Sequence, residues 1–340
     1  MGSVVKNIIK ICLPFVFGIG ILWWMYRGTD WTDFLNCLMH DMNWGWMILS
    51  LTFGILPALV RGWRWKMSLA PLGENPKNRT CADAIFISYA ASLVVPRIGE
   101  VTRCGTLKTY EETPFSKALG TVVTERMVDS VVMLVLTALA ILLQLPTLLR
   151  FLETTGTDFG QILSKFTSTG YLVTAICLVA IITLIIILVY RLALFKKGKH
   201  VMNNLLDGML SLKHVKNLPL YLLYSVGIWF CYFMHFYLAF FCFDFTSNIA
   251  PLAAFLIFCV GSFAVLVPTP NGAGPWHFAV KTMLVIYGVA EPQAILFALV
   301  VHTIQTFEVI LLGAYGWADL NYNFKKKNKE TLQGESPENK

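Results

Sequence analysis

The sequence predicts an all-α, polytopic membrane protein of about six to eight transmembrane helices, with two broken or re-entrant elements and an inverted repeat. Three observations predict it. First, 56% of the 340 residues are apolar and only 14% are charged, where a soluble domain carries about 25% charged residues. Second, the apolar residues come in uninterrupted runs such as 171–190 and 221–243, and a run of about 20 matches a hydrocarbon core of about 30 Å. Third, 22 of the 27 lysines and arginines fall in Lys6 and Lys10, the 61–80, 96–117 and 191–217 segments and the tail. The opposite loops hold Arg27, Arg150 and Lys165. That bias predicts a multi-pass protein of the cytoplasmic (inner) membrane with both termini in the cytoplasm. Basic residues facing anionic lipid also account for the net charge of +7 with no nucleic-acid partner. Disordered, collagen-like, coiled-coil and disulfide-scaffold classes are excluded. The eight cysteines are scattered, with no CxxC, and give no zinc or disulfide framework.

The elements follow in order. Residues 8–26 form a first span that ends in the interfacial pair Trp23 and Trp24. Its basic start resembles a signal peptide, but no small-x-small cleavage site follows, so an uncleaved span is expected. Residues 44–70 form a span interrupted by Pro57 and edged by Arg61, Arg64 and Lys66. The 82–95 run is too short to cross and suits a re-entrant helix closed by Pro96-Arg97-Ile98-Gly99-Glu100. Spans at 118–145, 171–190 and 221–243 come next. A pair at 250–267 and 275–289 then flanks a Pro- and Gly-rich break, and 293–317 is the last span. The transmembrane domain is expected to cover 1–320, with 321–340 a disordered cytoplasmic tail. Each broken element lies between two long spans, which defines repeat units 44–145 and 221–317. Helix 44–70 runs inward and 221–243 outward, so the units would be inverted; the alternative is that Pro and Gly simply end two helices at loops. Paired broken helices in inverted halves point to a transporter site at mid-membrane.

Two segments carry a family likeness. Val95-Pro96-Arg97-Ile98-Gly99-Glu100-Val101-Thr102-Arg103 and Gly120-Thr121-Val122-Val123-Thr124-Glu125-Arg126-Met127-Val128-Asp129 resemble the first two motifs of a lipid flippase-like membrane family. That family includes the membrane region of lysylphosphatidylglycerol synthases (multiple peptide resistance factors). The loop from Pro268 to Gly274 is similar to its third motif. Trp276 and His277 stand where the family usually has an acidic residue, and His302 where it often has an arginine. The resemblance implies lipid handling. A non-enzymatic, stand-alone member without the soluble aminoacyl-transfer domain is expected, with no catalytic residues, metal or cofactor.

The candidate substrate-binding residues are few. Arg97, Glu100 and Arg103 lie at the helix break, where two arginines beside freed amides suit a lipid phosphate and Glu100 would orient one arginine. A plain basic loop is the alternative. Glu125, Arg126 and Asp129 lie deep in an apolar run, where charge must be paired. Their i,i+3 and i,i+4 spacing allows either a self-satisfied packing triad or a headgroup- or proton-binding site. His302, Gln305 and Glu308 form a polar stripe that the inverted halves would place opposite Glu125 and Asp129, for proton relay or for helix–helix hydrogen bonding. Asn271 and Gly272 sit in a loop that reads as an anion-binding nest or as an ordinary turn. His235 reads as a satisfied core histidine. The expected function is a flippase-like lipid transporter for an anionic phospholipid or polyprenyl-phosphate-linked headgroup. Its partners would be membrane lipids and either a second copy or a lipid-biosynthetic enzyme. The alternatives are a non-transporting partner of such an enzyme and a small-anion transporter.

Overall fold

The computed structural model of the protein describes residues 20–23, 27, 31–144, 207 and 214–334. Among them the chain is helical, with no strand. The span expected at 171–190, and most of that at 8–26, lie outside the described residues.

The first unit consists of α1 (Trp44–Leu69), a hairpin of α2 (Asn78–Val94) and α3 (Ile98–Glu111), and α4 (Phe115–Leu143). The second repeats that order with α5 (Leu218–Ala239), a hairpin of α6 (Pro251–Ala264) and α7 (Pro275–Ile286), and α8 (Glu291–Gly334). Local chemistry repeats as well. Asn43 opens α1, its side-chain oxygen accepting from the amides of Gly45 and Trp46 at 3.0 and 3.4 Å. Asn217 opens α5 in the same way, accepting from the Leu220 amide at 3.1 Å. Each asparagine satisfies donors that a helix start leaves unpaired.

Helices α1, α4, α5 and α8 are long and apolar enough to cross a membrane. The 17 residues of α2 and the 14 of α6 reach only about 25 and 21 Å at 1.5 Å per residue, short of a core of about 30 Å. The first hairpin returns to the end it started from, because the Lys77 amide and the Thr80 hydroxyl both donate to the Glu111 carboxylate. It is therefore re-entrant.

Helices α1 and α5 pack antiparallel. Trp46 faces Phe241 at one end, Ser50 faces His235, and Trp63 faces Tyr224 at the other. The first helix of each hairpin packs on the closing helix of the other unit, α2 on α8 and α6 on α4. An antiparallel pair plus this exchange is the pattern of an inverted repeat with a pseudo-two-fold axis. The hairpin tips meet, and Arg97 donates from Nη2 to the Leu266 carbonyl at 2.9 Å.

The tips are set by residue type. Pro96 disfavours helical backbone before it, so Val95 is extended (φ −130°, ψ 122°) and α2 stops. Arg97 then turns through a left-handed conformation (φ 63°). A Cβ on Gly99 would lie 2.1 Å from the Ser88 carbonyl oxygen and 2.4 Å from the Ser92 hydroxyl. Glycine alone lets α3 return this close to α2. At the second tip Asn271, Gly272 and Gly274 have positive φ, and Pro275 restarts the helix at a position where its missing N–H is harmless.

Two boundaries differ from expectation. Helix α2 begins at Asn78 rather than residue 82, because its polar first turns pair with Glu111 and Asp319 instead of lying in lipid. Helix α8 continues to Gly334, through most of the segment for which composition predicts a disordered tail. Lys, Glu, Leu and Gln there are good helix formers, and extending an existing helix avoids the unfavourable nucleation step. On α4, Leu134, Val135 and Leu142 are 60%, 61% and 68% exposed, the outward apolar face that lipid requires.

Candidate functional site

Helix α4 carries Glu125 and Asp129 one turn apart, both buried. Their partners come from two other helices. Arg61 and Arg64 of α1 donate to the two oxygens of Asp129 at 2.8 and 2.7 Å, and Arg64 also donates to the Ser225 hydroxyl of α5 at 2.8 Å. Arg103 of α3 donates to Glu125 at 2.8 Å, and Arg64 lies 3.7 Å from the other Glu125 oxygen. Arg126 is half-exposed, 3.2 Å from Glu100 and 3.9 Å from Asp129. Aromatic rings cover the buried guanidiniums, with Arg103 4.8 Å from the Trp65 centroid and Arg64 5.5 Å from that of Tyr221.

Four guanidiniums thus face three carboxylates, leaving one positive charge in excess. Arg61 Nε, Arg64 Nη2 and Arg103 Nη2 are buried without an acceptor. A buried charge is tolerated only when paired and hydrogen-bonded, so this cluster is both a lock between α1, α3, α4 and α5 and a source of positive potential.

Beside it lies a cavity of about 410 Å³. Tyr89, Trp229, Tyr232, Phe236, Phe258 and Trp276 form its aromatic walls. Ser92, His235, Asn271, His302, Gln305 and Glu308 are its polar points. A small number of fixed polar groups in an apolar wall is the usual composition of a ligand site. The Tyr89 and Tyr232 hydroxyls, 2.6 Å apart, line the cavity and lie within electrostatic reach of Arg61. They mark the seam between cavity and cluster.

The structure sorts the expected residues into these two groups. Glu125, Asp129, Arg103, Arg126 and Glu100 belong to the cluster, while Asn271, His302, Gln305 and Glu308 belong to the cavity. Glu100 pairs with Arg126 and not with Arg97 or Arg103. The triad on α4 is not self-satisfied: Arg126 lies nearer Glu100 than Asp129, and the hydrogen bonds to Glu125 and Asp129 come from Arg61, Arg64 and Arg103 of other helices. The stripe on α8 does not face Glu125 and Asp129. It lines the cavity, with Glu308 facing His235 of α5 and His302 facing the second tip; α8 packs on α2 and α7, and α4 supplies none of the described cavity lining.

The nest reading of the second tip is also corrected. The amides of Gly272 and Ala273 donate to the carbonyls of Thr269 and Pro270, and that of Gly274 to His277 Nδ1. No donor among these three is left for an anion. His302 instead ties this tip to α8. Its Nε2 donates to the Asn271 carbonyl at 3.1 Å, its Nδ1 contacts the Thr306 hydroxyl at 3.3 Å, and the Asn271 amide donates to Thr306 at 3.0 Å. Gly272 contributes its backbone turn only.

Sequence reasoning placed Arg61 and Arg64 among loop charges. A signal for them existed: two acids inside an apolar helix demand cations, and Arg61 and Arg64 share one helix face at i,i+3. Arg103, also counted with the basic loops, is buried too.

The family model of the lysylphosphatidylglycerol synthase TM region matches residues 11–313. The chain belongs to this family. It is similar to a UPF0104 membrane protein of Methanocaldococcus jannaschii, 26% identical over 154 residues. That match spans 44% of this chain and 44% of the relative, less than half of either length. No solved structure matches. Family membership makes this a membrane protein with a likeness to the membrane part of a lipid-modifying enzyme, and both hairpins fall within the matched residues.

Proposed function

We propose that the protein moves an anionic lipid headgroup across the cytoplasmic membrane, without catalysing a change in it. The observation that carries this reading is the meeting of two re-entrant tips beside a cavity. Arg97 to Leu266 is an exposed hydrogen bond between halves of an inverted repeat, and it can part without unfolding either hairpin. The 410 Å³ cavity suits a polar headgroup, while acyl chains would stay in lipid along the apolar outer faces. The excess positive charge behind the tyrosine seam favours a phosphate-bearing group. Both termini are assigned to the cytoplasm because Lys66, Lys77, Arg79, Lys108 and Lys117 gather where α1 and α3 end and α2 and α4 begin.

The test is reconstitution of the purified full chain into liposomes holding a headgroup-labelled anionic phospholipid or polyprenyl phosphate, read with an impermeant quencher. Wild type is expected to move label faster than protein-free vesicles. Ser262 lines the cavity, so Ser262→Phe, which fills it, and Arg97→Ala, which removes the tip contact, are expected to return it to the protein-free rate. Wild-type movement no faster than protein-free vesicles would remove the lipid reading, and uptake of labelled phosphate in its place would make the protein a small-anion transporter.

A further inference from the structure

We infer that His235 and Glu308 together hold one exchangeable proton, and that its uptake and release drives headgroup movement. The coupling rests on the transport reading above; the proton site does not.

The geometry fixes the histidine first. His235 Nδ1 lies 2.7 Å from the Ser50 carbonyl oxygen. A carbonyl only accepts, so Nδ1 carries the hydrogen. The Ser50 hydroxyl also bonds back to the His235 carbonyl at 2.5 Å, holding α1 and α5 in register. In the neutral ring Nε2 is then a lone pair, and it faces Glu308 Oε2 across 3.8 Å. The other Glu308 oxygen is buried without a partner.

The cavity wall itself supplies no fixed counter-charge; the arginines of the cluster lie behind the Tyr89–Tyr232 seam. Helix α1 presents Gly54, where a Cβ would lie 2.4 Å from Glu308 Oε2 and 2.9 Å from His235 Cε1. Helix α2 presents Tyr89, already bonded to Tyr232 of α5. Helix α8 itself presents Gln305 and His302, the latter bonded to Asn271 and Thr306. From the second hairpin His277 packs against His302, ring centroids 4.3 Å apart and planes tilted by 50°, with its Nδ1 accepting from the Gly274 amide. No lysine or arginine is among the described lining. A carboxyl group in such a wall is stable when it is neutral or when its partner is cationic. Both arrangements hold a single proton, on Glu308 or on His235 Nε2. Loss of that proton leaves a carboxylate unpaired.

The sign of coupling follows. An unpaired Glu308 carboxylate repels an anionic headgroup, and the proton-loaded pair does not. Proton and headgroup should therefore travel in the same direction, and acid on the side of origin should speed movement. Gly54 matters because any side chain there displaces the carboxyl group from His235.

Infrared difference spectroscopy on the full chain in detergent, stepped between about pH 5 and 9, reads the carboxyl group directly. The expected result is a protonated-carboxyl band that titrates in wild type and is missing in Glu308→Gln. Identical titrations of the two, both monodisperse on gel filtration, would overturn the proton site. Should Glu308→Gln misfold, His235→Gln and Gly54→Ala keep the test open. Each is expected to move the midpoint by about one pH unit or more, and an unmoved midpoint in both overturns the site. In liposomes, acid on the origin side should raise the wild-type rate. A rate indifferent to the gradient overturns coupling and leaves transport standing. No movement under any gradient overturns transport and coupling together, while the band still reports the proton site.

Discussion

The two halves of the molecule place an acid–base pair in corresponding positions and give it opposite character. Arg61 is the eighteenth residue of α1 and His235 the eighteenth of α5, counting from Trp44 and Leu218. Each faces a carboxylate on the closing helix of its own unit, Asp129 on α4 and Glu308 on α8. In the first unit the base is an arginine, permanently charged, 2.8 Å from its acid and backed by Arg64. In the second it is a histidine 3.8 Å away across an open cavity. One architecture thus carries a fixed charge lock in one half and a titratable pair in the other. The difference turns on the type of base, since guanidinium does not lose its proton in proteins and imidazole does.

The contrast is broken most forcefully by removing the two acids in turn. Asp129→Ala leaves Arg61 and Arg64 buried without their acceptor, and is expected to destabilise by about 3–5 kcal/mol. Glu308→Ala faces a histidine that can stay neutral, and is expected to lose about 1–3 kcal/mol. Thermal unfolding of the detergent-purified variants checks the order. Equal losses would mean that the two pairs are alike and the lock-and-switch distinction is wrong.

Next in size is the first tip. Gly99→Val sets two methyl groups against the Ser88 carbonyl and is expected to lose about 1–3 kcal/mol or more. Arg97→Gly and Arg97→Ala separate backbone from side chain at the adjoining position. Both delete the bond to Leu266, but Gly accepts φ 63° freely. Arg97→Gly should therefore be the more stable variant by about 1 kcal/mol. The reverse order in a melting comparison would show that the left-handed turn is not retained.

These positions also show what sequence could and could not say. Run length gave the long helices, and Pro96 and the Pro268–Pro275 stretch gave both hairpin tips, because proline and glycine act locally. The residues Glu125, Asp129, His302 and Glu308 stood out because charge in an apolar helix needs a reason. Their partners did not stand out. Asp129 meets Arg61 across 68 positions and His235 meets Ser50 across 185, and such pairing follows from helix packing rather than from any local pattern. The positive-inside count hid Arg61, Arg64 and Arg103 for the same reason: at a helix edge a lipid-facing cation and an inward-facing one look alike in sequence. The inverted repeat was readable as an order of elements, whereas the cross-packing of α2 on α8 and α6 on α4 required the fold.

A pH-dependent effect tests whether titration matters anywhere but the cavity. At the opposite end of α8, Arg79 pairs with Asp319, and Asp83 of α2 is buried against the same carboxylate. Burial, followed by the hydrogen bond to Asp319 and its negative charge, pushes the Asp83 carboxyl up to about 7, with Arg79 pulling the other way. The folded protein therefore holds a proton that the unfolded chain releases near pH 4. Wherever the native state binds the extra proton, stability falls as pH rises. This contribution is full below about pH 4, declines between about pH 4 and 7, and is gone above that range. Asp83→Asn keeps a donor toward Asp319 and removes the titration. It should flatten the decline of melting temperature across that window, by a few degrees at most. If the slope is the same with and without Asp83, the α2–α8 contact is pH-neutral.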